Sequence, residues 1–166
     1  MFKYLFLAIA LVAGSVQASP EVEEVLREVV TDNRQVQCLA NNIYHEARNQ
    51  SDTGQYAVAL VTLNRVESPR FPNTVCRVVH QAVRDSSGAP IRHKCQFSWY
   101  CDGRSDRIAE PLAFAKALDI AEDVYFGRVE DFTNNATFYH TRSVNPDWAK
   151  VFNVVYEHQY HIFYRP

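Results

Sequence analysis

The chain has 166 residues, 17 Lys+Arg against 19 Asp+Glu, a formal net charge of −2 and 13% aromatic residues. That length suits one domain built around one core. The charge balance argues against a nucleic-acid partner, which requires clustered Lys and Arg to displace counterions.

The N-terminus reads as an export signal. Lys3 supplies a positive start, Tyr4 to Val12 is mostly apolar, and Gly14, Ser15 and Val16-Gln17-Ala18 form a small-residue cleavage site. The apolar run is shorter than the roughly 18 residues of a spanning helix. The expected organisation is a signal peptide over residues 1–18 and one domain over 19–166. The product would be a monomer exported to the periplasm, wall or medium, with no stable membrane span after cleavage. An uncleaved anchor is the rival reading.

Past Pro20, Val22, Val25, Leu26, Val29 and Val30 recur at helical spacing. A second helix is predicted from about Val36 to Arg48, with Leu39, Ala40, Ile43, Tyr44 and Ala47 as its apolar positions. Asn49-Gln50-Ser51 interrupts the pattern. Asp52 and Gln55 read as a capping box that opens another helix, ending near Val66 ahead of Pro69. Phe71-Pro72-Asn73-Thr74 turns into a short helix containing Val75, Val78 and Val79. Asp85 to Pro90 reads as a loop, Gln96 to Tyr100 as irregular, and Asp102-Gly103 as a turn. Pro111 to Phe126 is a helix with Pro in its first turn and Gly127 just past its end. Three strand-like runs close the chain: Ala136 to His140, Phe152 to Tyr156 and Tyr160 to Tyr164. Helices followed by strands predict an α+β fold, a helix-rich single domain with a small antiparallel sheet.

Cys38, Cys76, Cys95 and Cys101 allow three pairings, and an even count in an exported chain points to two disulfides. Cys95–Cys101, closing a short loop, and Cys38–Cys76, tying two helical segments, form the favoured set. No C-x-x-C pair is present, which argues against a zinc knuckle.

Glu46 stands in the last turn of an apolar helix, beside Ile43 and Ala47. A carboxyl in apolar surroundings resists ionisation, the property a glycosidase needs in its general acid. A surface Glu paired with Arg48 is the plain alternative. His45-Glu46 does not complete H-E-x-x-H, because position 49 is Asn. No metal or cofactor is expected, although His80, His93, His140, His158 and His161 leave a scattered metal site as an alternative. Gln96, Phe97, Trp99 and Asp102, with Tyr139 and His140 further on, combine rings and hydrogen-bonding groups suited to sugars. Those same rings would serve equally well to plug a core. There is no G-x-S-x-G and no Gly-rich phosphate loop.

Read in order, several segments resemble the SleB-like cell-wall hydrolase family of spore-cortex-lytic enzymes. They are Ile43-Tyr44-His45-Glu46-Ala47-Arg48, Gly54-Gln55-Tyr56-Ala57-Val58-Ala59, Leu63-Asn64-Arg65-Val66 and Arg70-Phe71-Pro72-Asn73-Thr74-Val75-Cys76, then Gln96-Phe97-Ser98-Trp99 and Asp102-Gly103. Ala136-Thr137-Phe138-Tyr139-His140, Pro146-Asp147-Trp148 and His161-Ile162-Phe163-Tyr164-Arg165 complete the series. The resemblance implies a fold related to lysozyme and lytic transglycosylase catalytic domains, with peptidoglycan glycan strands as partner. It also implies lytic transglycosylase or muramidase cleavage at the N-acetylmuramic acid–N-acetylglucosamine bond. The family's catalytic Glu, in its E-A-R segment, matches Glu46. Asp102 is the second carboxylate that simple hydrolysis would call on. Many members carry Gly where Asn49 stands here, and many have a separate wall-binding domain, so affinity is expected to come from the cleft itself. Two rival classes remain at this level: a metal- or thiol-dependent amidase or endopeptidase, and a non-catalytic wall-binding module.

Overall fold

The structure is a computed structural model that describes residues 19–166; the expected signal peptide lies outside them. Helix α1 runs unbroken over Pro20–Ala47. The gap that periodicity left between two helices is itself helical. Residues 31–35 contain no Gly or Pro, Thr31 Oγ1 donates to Arg27 O at 2.8 Å, and Tyr125 Oη donates to Asp32 Oδ1 at 2.8 Å. Ser19 caps the start, its side chain accepting from Val22 N–H, and Pro20 occupies the first turn, where its missing N–H costs nothing.

Only the second half of α1 enters the core. Leu39, Ala40 and Ile43 are fully buried, whereas Val22, Val25, Leu26, Val29 and Val30 are exposed. Helix α2 (Asp52–Glu67) is buried on most sides, as its nearly continuous apolar sequence requires. Its cap differs from the predicted one. Ser51 Oγ accepts from Gly54 N–H at 3.3 Å, Asp52 is the first helical residue, and Gln55 Nε2 donates back to Gln50 O at 3.1 Å. Ser51 wins because the capping side chain must precede the first helical φ/ψ, with its oxygen facing the free N–H groups of the first turn.

Helix α3 (Val75–Val79) and helix α4 (Pro111–Tyr125) complete the helical half and pack against α1 and α2. Gly127 takes φ +68° just past α4, the left-handed position that a helix C-terminus favours.

The expected loop at Asp85 to Pro90 proves to be the turn of a hairpin joining β1 (Ala82–Arg84) to β2 (Pro90–Cys95). Asp85 Oδ1 organises it by accepting from the N–H groups of Ser87 and Ala89. The flanking strands are short and polar, so no alternation announced them. A 3₁₀ turn at Ser98–Cys101 follows.

The C-terminal sheet has the order β3-β5-β4, antiparallel throughout, with β3 Phe138–Thr141, β4 Asn153–His158 and β5 His161–Arg165. Phe163, fully buried, packs this sheet onto Ala57 and Val61 of α2. The α+β architecture thus matches the sequence expectation.

Both favoured disulfides form: Cys38–Cys76 joins α1 to α3, and Cys95–Cys101 joins β2 to the 3₁₀ turn. The sequence separations are 38 and 6 residues. Chain-entropy reasoning makes the longer loop the more stabilising, about 4 against about 2 kcal/mol. Equilibrium unfolding of Cys38→Ala/Cys76→Ala and Cys95→Ala/Cys101→Ala variants is expected to show the larger loss in the first pair.

Candidate active site

Glu46 lies in the last turn of α1, at the wall of a pocket of about 320 Å³. Gln96, Phe97 and Ser98, following β2, form one side; Phe138 and Tyr139 of β3 form another, with Trp148 from the 3₁₀ turn Asp147–Lys150. Arg65 of α2 also contributes. Among the described residues, Glu46 is the only carboxylate lining this pocket.

Tyr139 Oη donates to Glu46 Oε2 at 3.0 Å. Burial pushes the Glu46 carboxyl above its ordinary value, against the opposing pull of the Tyr139 hydrogen bond and the Arg65 charge. Burial also pushes the Tyr139 phenol well above its usual value, reinforced by the Glu46 charge, so Tyr139 remains a donor.

Arg65 is only 3% exposed. Its Nε donates to Thr137 O at 2.8 Å, and its guanidinium lies over the rings of Phe97, Phe71 and Phe138 at 5.0, 5.3 and 5.9 Å. Its Nη1 is buried without a hydrogen-bond partner. The next residue back performs related work: Asn64 Nδ2 donates to Ala136 O, Asp131 Oδ2 and Thr133 Oγ1. Together they clamp the segment that enters β3 and so fix Tyr139 relative to Glu46.

Of the six expected substrate contacts, the fold brings Gln96, Phe97 and Tyr139 together with Glu46. Phe97 is almost wholly buried and serves as the Arg65 ring partner as much as a pocket wall. Trp99, Asp102 and His140 do not line the pocket. Trp99 faces inward, donating from Nε1 to buried Asn42 Oδ1 at 3.0 Å and stacking on His45 at 4.5 Å. Asp102 holds its own turn by accepting from Arg104 N–H at 2.7 Å. His140 is engaged by Tyr164 Oη at 2.9 Å and the Thr141 carbonyl. Sequence reasoning singled out neither Arg65 nor Trp148 as a site residue. An arginine inside an otherwise apolar helix was the available signal for the first; a lone Trp in a loop gave little for the second.

All four cysteines are oxidised, so among the described residues there is no free thiol. No group of three metal-ligating side chains converges among them either. No described helix is long and apolar enough to cross a membrane.

The profile of a family described as cell wall hydrolase matches residues 49–164, starting just beyond Glu46. The spore cortex-lytic enzyme of Halalkalibacterium halodurans is 31% identical over 114 residues, 69% of this chain and 28% of that protein. The Bacillus subtilis spore cortex-lytic enzyme is 45% identical over 49 residues, 30% of this chain and 16% of that protein. The matched region therefore spans well under a third of these curated relatives. Two solved structures share the fold. The catalytic domain of Bacillus cereus SleB has a TM-score of 0.57 and 28% identity, covering 80% of this chain and 91% of that one. The catalytic domain of the germination-specific lytic transglycosylase SleB from Bacillus anthracis has a TM-score of 0.58 and 29% identity, covering 79% and 93%.

The raised Glu46 ionisation has a cost for folding. A carboxyl whose folded value lies above its unfolded one contributes stability at low pH that is lost as pH rises through the folded value. Glu46→Gln is therefore expected to melt at a higher temperature than the parent in mildly alkaline buffer. The gap should close below the ordinary carboxylate range, and a scan of Tm against pH checks it.

Proposed function

The chain belongs to the cell wall hydrolase family, and from that premise we propose that it cleaves peptidoglycan glycan strands by lytic transglycosylation, with Glu46 as acid and then base. The observation that carries this reading is that, among the described residues, one carboxylate lines the pocket. Hydrolytic glycosidases generally need a second one, as nucleophile or as base for water. The Asp102 side chain, expected to fill that place if water were the acceptor, is committed to its own turn outside the pocket.

The chemistry closes without a second group. Protonated Glu46 gives its proton to the bridging oxygen as the bond from N-acetylmuramic acid C1 breaks, releasing the next sugar as an alcohol. Glu46, now a carboxylate, takes the proton of that muramic acid's own C6 hydroxyl while O6 bonds to C1. The products are a 1,6-anhydro end and a regenerated acid, with no water consumed. The nucleophile is already on the sugar, so proximity supplies what a protein nucleophile otherwise would. Tyr139 and Arg65 stabilise the carboxylate between the two steps, while burial favours the protonated form. Half-buried Trp148 and Phe138 offer ring faces to the sugars, and Gln96 offers an amide.

Fragments released from purified peptidoglycan, weighed by mass spectrometry, are expected to end in 1,6-anhydro-N-acetylmuramic acid. Glu46→Gln should slow their release by about 10²–10⁴-fold, the usual contribution of a general acid. Reducing ends would make the enzyme a muramidase, and free stem peptides on intact glycan would overturn the reading.

Tyr139→Phe probes the second step. Activity requires protonated Glu46 and so falls as pH rises through its ionisation. The lost hydrogen bond favoured the carboxylate, so its removal raises that ionisation. The alkaline limb of the pH–rate profile is expected to move to higher pH while the maximum rate drops. A limb that stays in place would show that Tyr139 does not act on Glu46.

A further inference from the structure

A second depression lies beside the hairpin, away from Glu46. Arg34 of α1, Arg77 of α3 and Arg84 of β1 line it together with His80 and Tyr100, and among the described residues no acidic side chain does. The cations come from three separate elements, in a chain whose net charge is negative. Among the described residues, none of the three arginines has an ion-pair partner. Arg84 is held in place by donating to Gly88 O at 2.9 Å, with longer contacts to His80 O and Tyr100 Oη. Arg34 and Arg77 are exposed. Burial first, then the charges of Arg84 and Arg34, pushes the His80 ring below its ordinary value, against the Cys76 backbone hydrogen bond and the charge of Asp106.

This depression adjoins the cleft in steps. It shares Gln81 and Ala82 with a shallow groove over the hairpin, which also carries Lys94. That groove in turn shares Cys95 and Gln96 with the Glu46 pocket. A polymer seated over Glu46 can therefore hang a side branch toward the arginines.

We propose that the Arg34–Arg77–Arg84 depression binds the carboxylates of a peptide stem borne by the glycan strand whose sugars occupy the Glu46 pocket. The proposal rests on the reading of this chain as a glycan-strand-cleaving enzyme. Stems are the anionic groups tethered to that polymer, and each carries more than one free carboxylate. A guanidinium fork matches a carboxylate in shape as well as charge. The consequence is a preference for stem-bearing strands over stripped ones.

The test titrates the full chain with the free tripeptide L-alanyl-γ-D-glutamyl-meso-diaminopimelate, followed by amide NMR shifts, and repeats it on Arg34→Ala/Arg77→Ala. Both side chains are exposed, and unchanged shifts elsewhere in the spectrum confirm an intact fold. Expected are shifts at His80, Gln81 and Arg84, weakened by salt, and about tenfold weaker binding by the double variant. No binding, or equal binding by parent and variant, would overturn the proposal. Shifts with a glycerol phosphate oligomer but not with the tripeptide would overturn it in favour of a phosphate polymer. The titration requires no turnover, so it reads this site even if the chain proves not to cut glycan. Where the chain does cut, the double variant is expected to lose about tenfold in rate on stem-bearing peptidoglycan and nothing on amidase-stripped glycan. Equal losses on both would count against a stem site.

Discussion

A buried guanidinium holds the two halves of this molecule together. Taking a charge out of water is costly, by several kcal/mol even after relaxation. Among the described residues, Arg65 bears that cost with no carboxylate bonded to it. Three phenylalanine rings present their negative faces, and the Thr137 carbonyl accepts from Nε. Each partner comes from a different part of the chain. Phe71 follows α2, Phe97 follows β2, and Phe138 and Thr137 belong to the entry of β3. Satisfying one cation therefore fixes the relative positions of the helical half, the hairpin and the sheet, and the pocket is the space between them.

The same residue bounds how far the acid can be tuned. Burial raises the Glu46 ionisation, and a group proposed to act as acid and then base must also be able to give a carboxylate. Arg65 and Tyr139 oppose burial without overcoming it. The net direction is upward, the one that the proposed role of general acid asks for. Placing Arg65 beneath aromatic rings, and not in direct contact with Glu46, weakens its influence enough to preserve that order.

Much of this was legible in the chain. The resemblance carried by Glu46-Ala47-Arg48 singled out Glu46 where apolar spacing alone left a surface Glu open. The cysteine count called for two disulfides but left three pairings, of which the favoured one formed. The three C-terminal strands followed from patterning, as did most of the helices. The hairpin did not, because three-residue and six-residue polar strands carry no alternation, and its stability comes from the Asp85 turn and the Cys95–Cys101 bond. Nor did the single long α1, since nothing in residues 31–35 favours a break or forbids one, and the Tyr125 contact that supports it is tertiary. Site composition was half legible for a similar reason. Residue type cannot say which way a ring faces: Phe97 reaches the pocket, whereas Trp99, two positions on, turns inward because buried Asn42 needs a donor for its carbonyl oxygen. Asn42 is itself bound to Thr62 across the helix pair, so the direction of Trp99 was decided by residues far from it in sequence.

A one-carboxylate mechanism makes rigidity a chemical requirement. In the proposed mechanism, the acid would meet the bridging oxygen first and the C6 hydroxyl second, both on the same face of the muramic ring, without a second group to correct its aim. Effective proximity of this kind is lost by displacements on the order of 1 Å. Glu46 sits on a helix, the most precise mount available, and its donor Tyr139 sits on a strand paired with the central strand of its sheet. The loop-borne wall at Gln96 to Ser98 is the part least able to hold itself. It lies between Cys95 and Cys101, so the six-residue disulfide loop supplies by covalent constraint the precision that secondary structure supplies on the other walls.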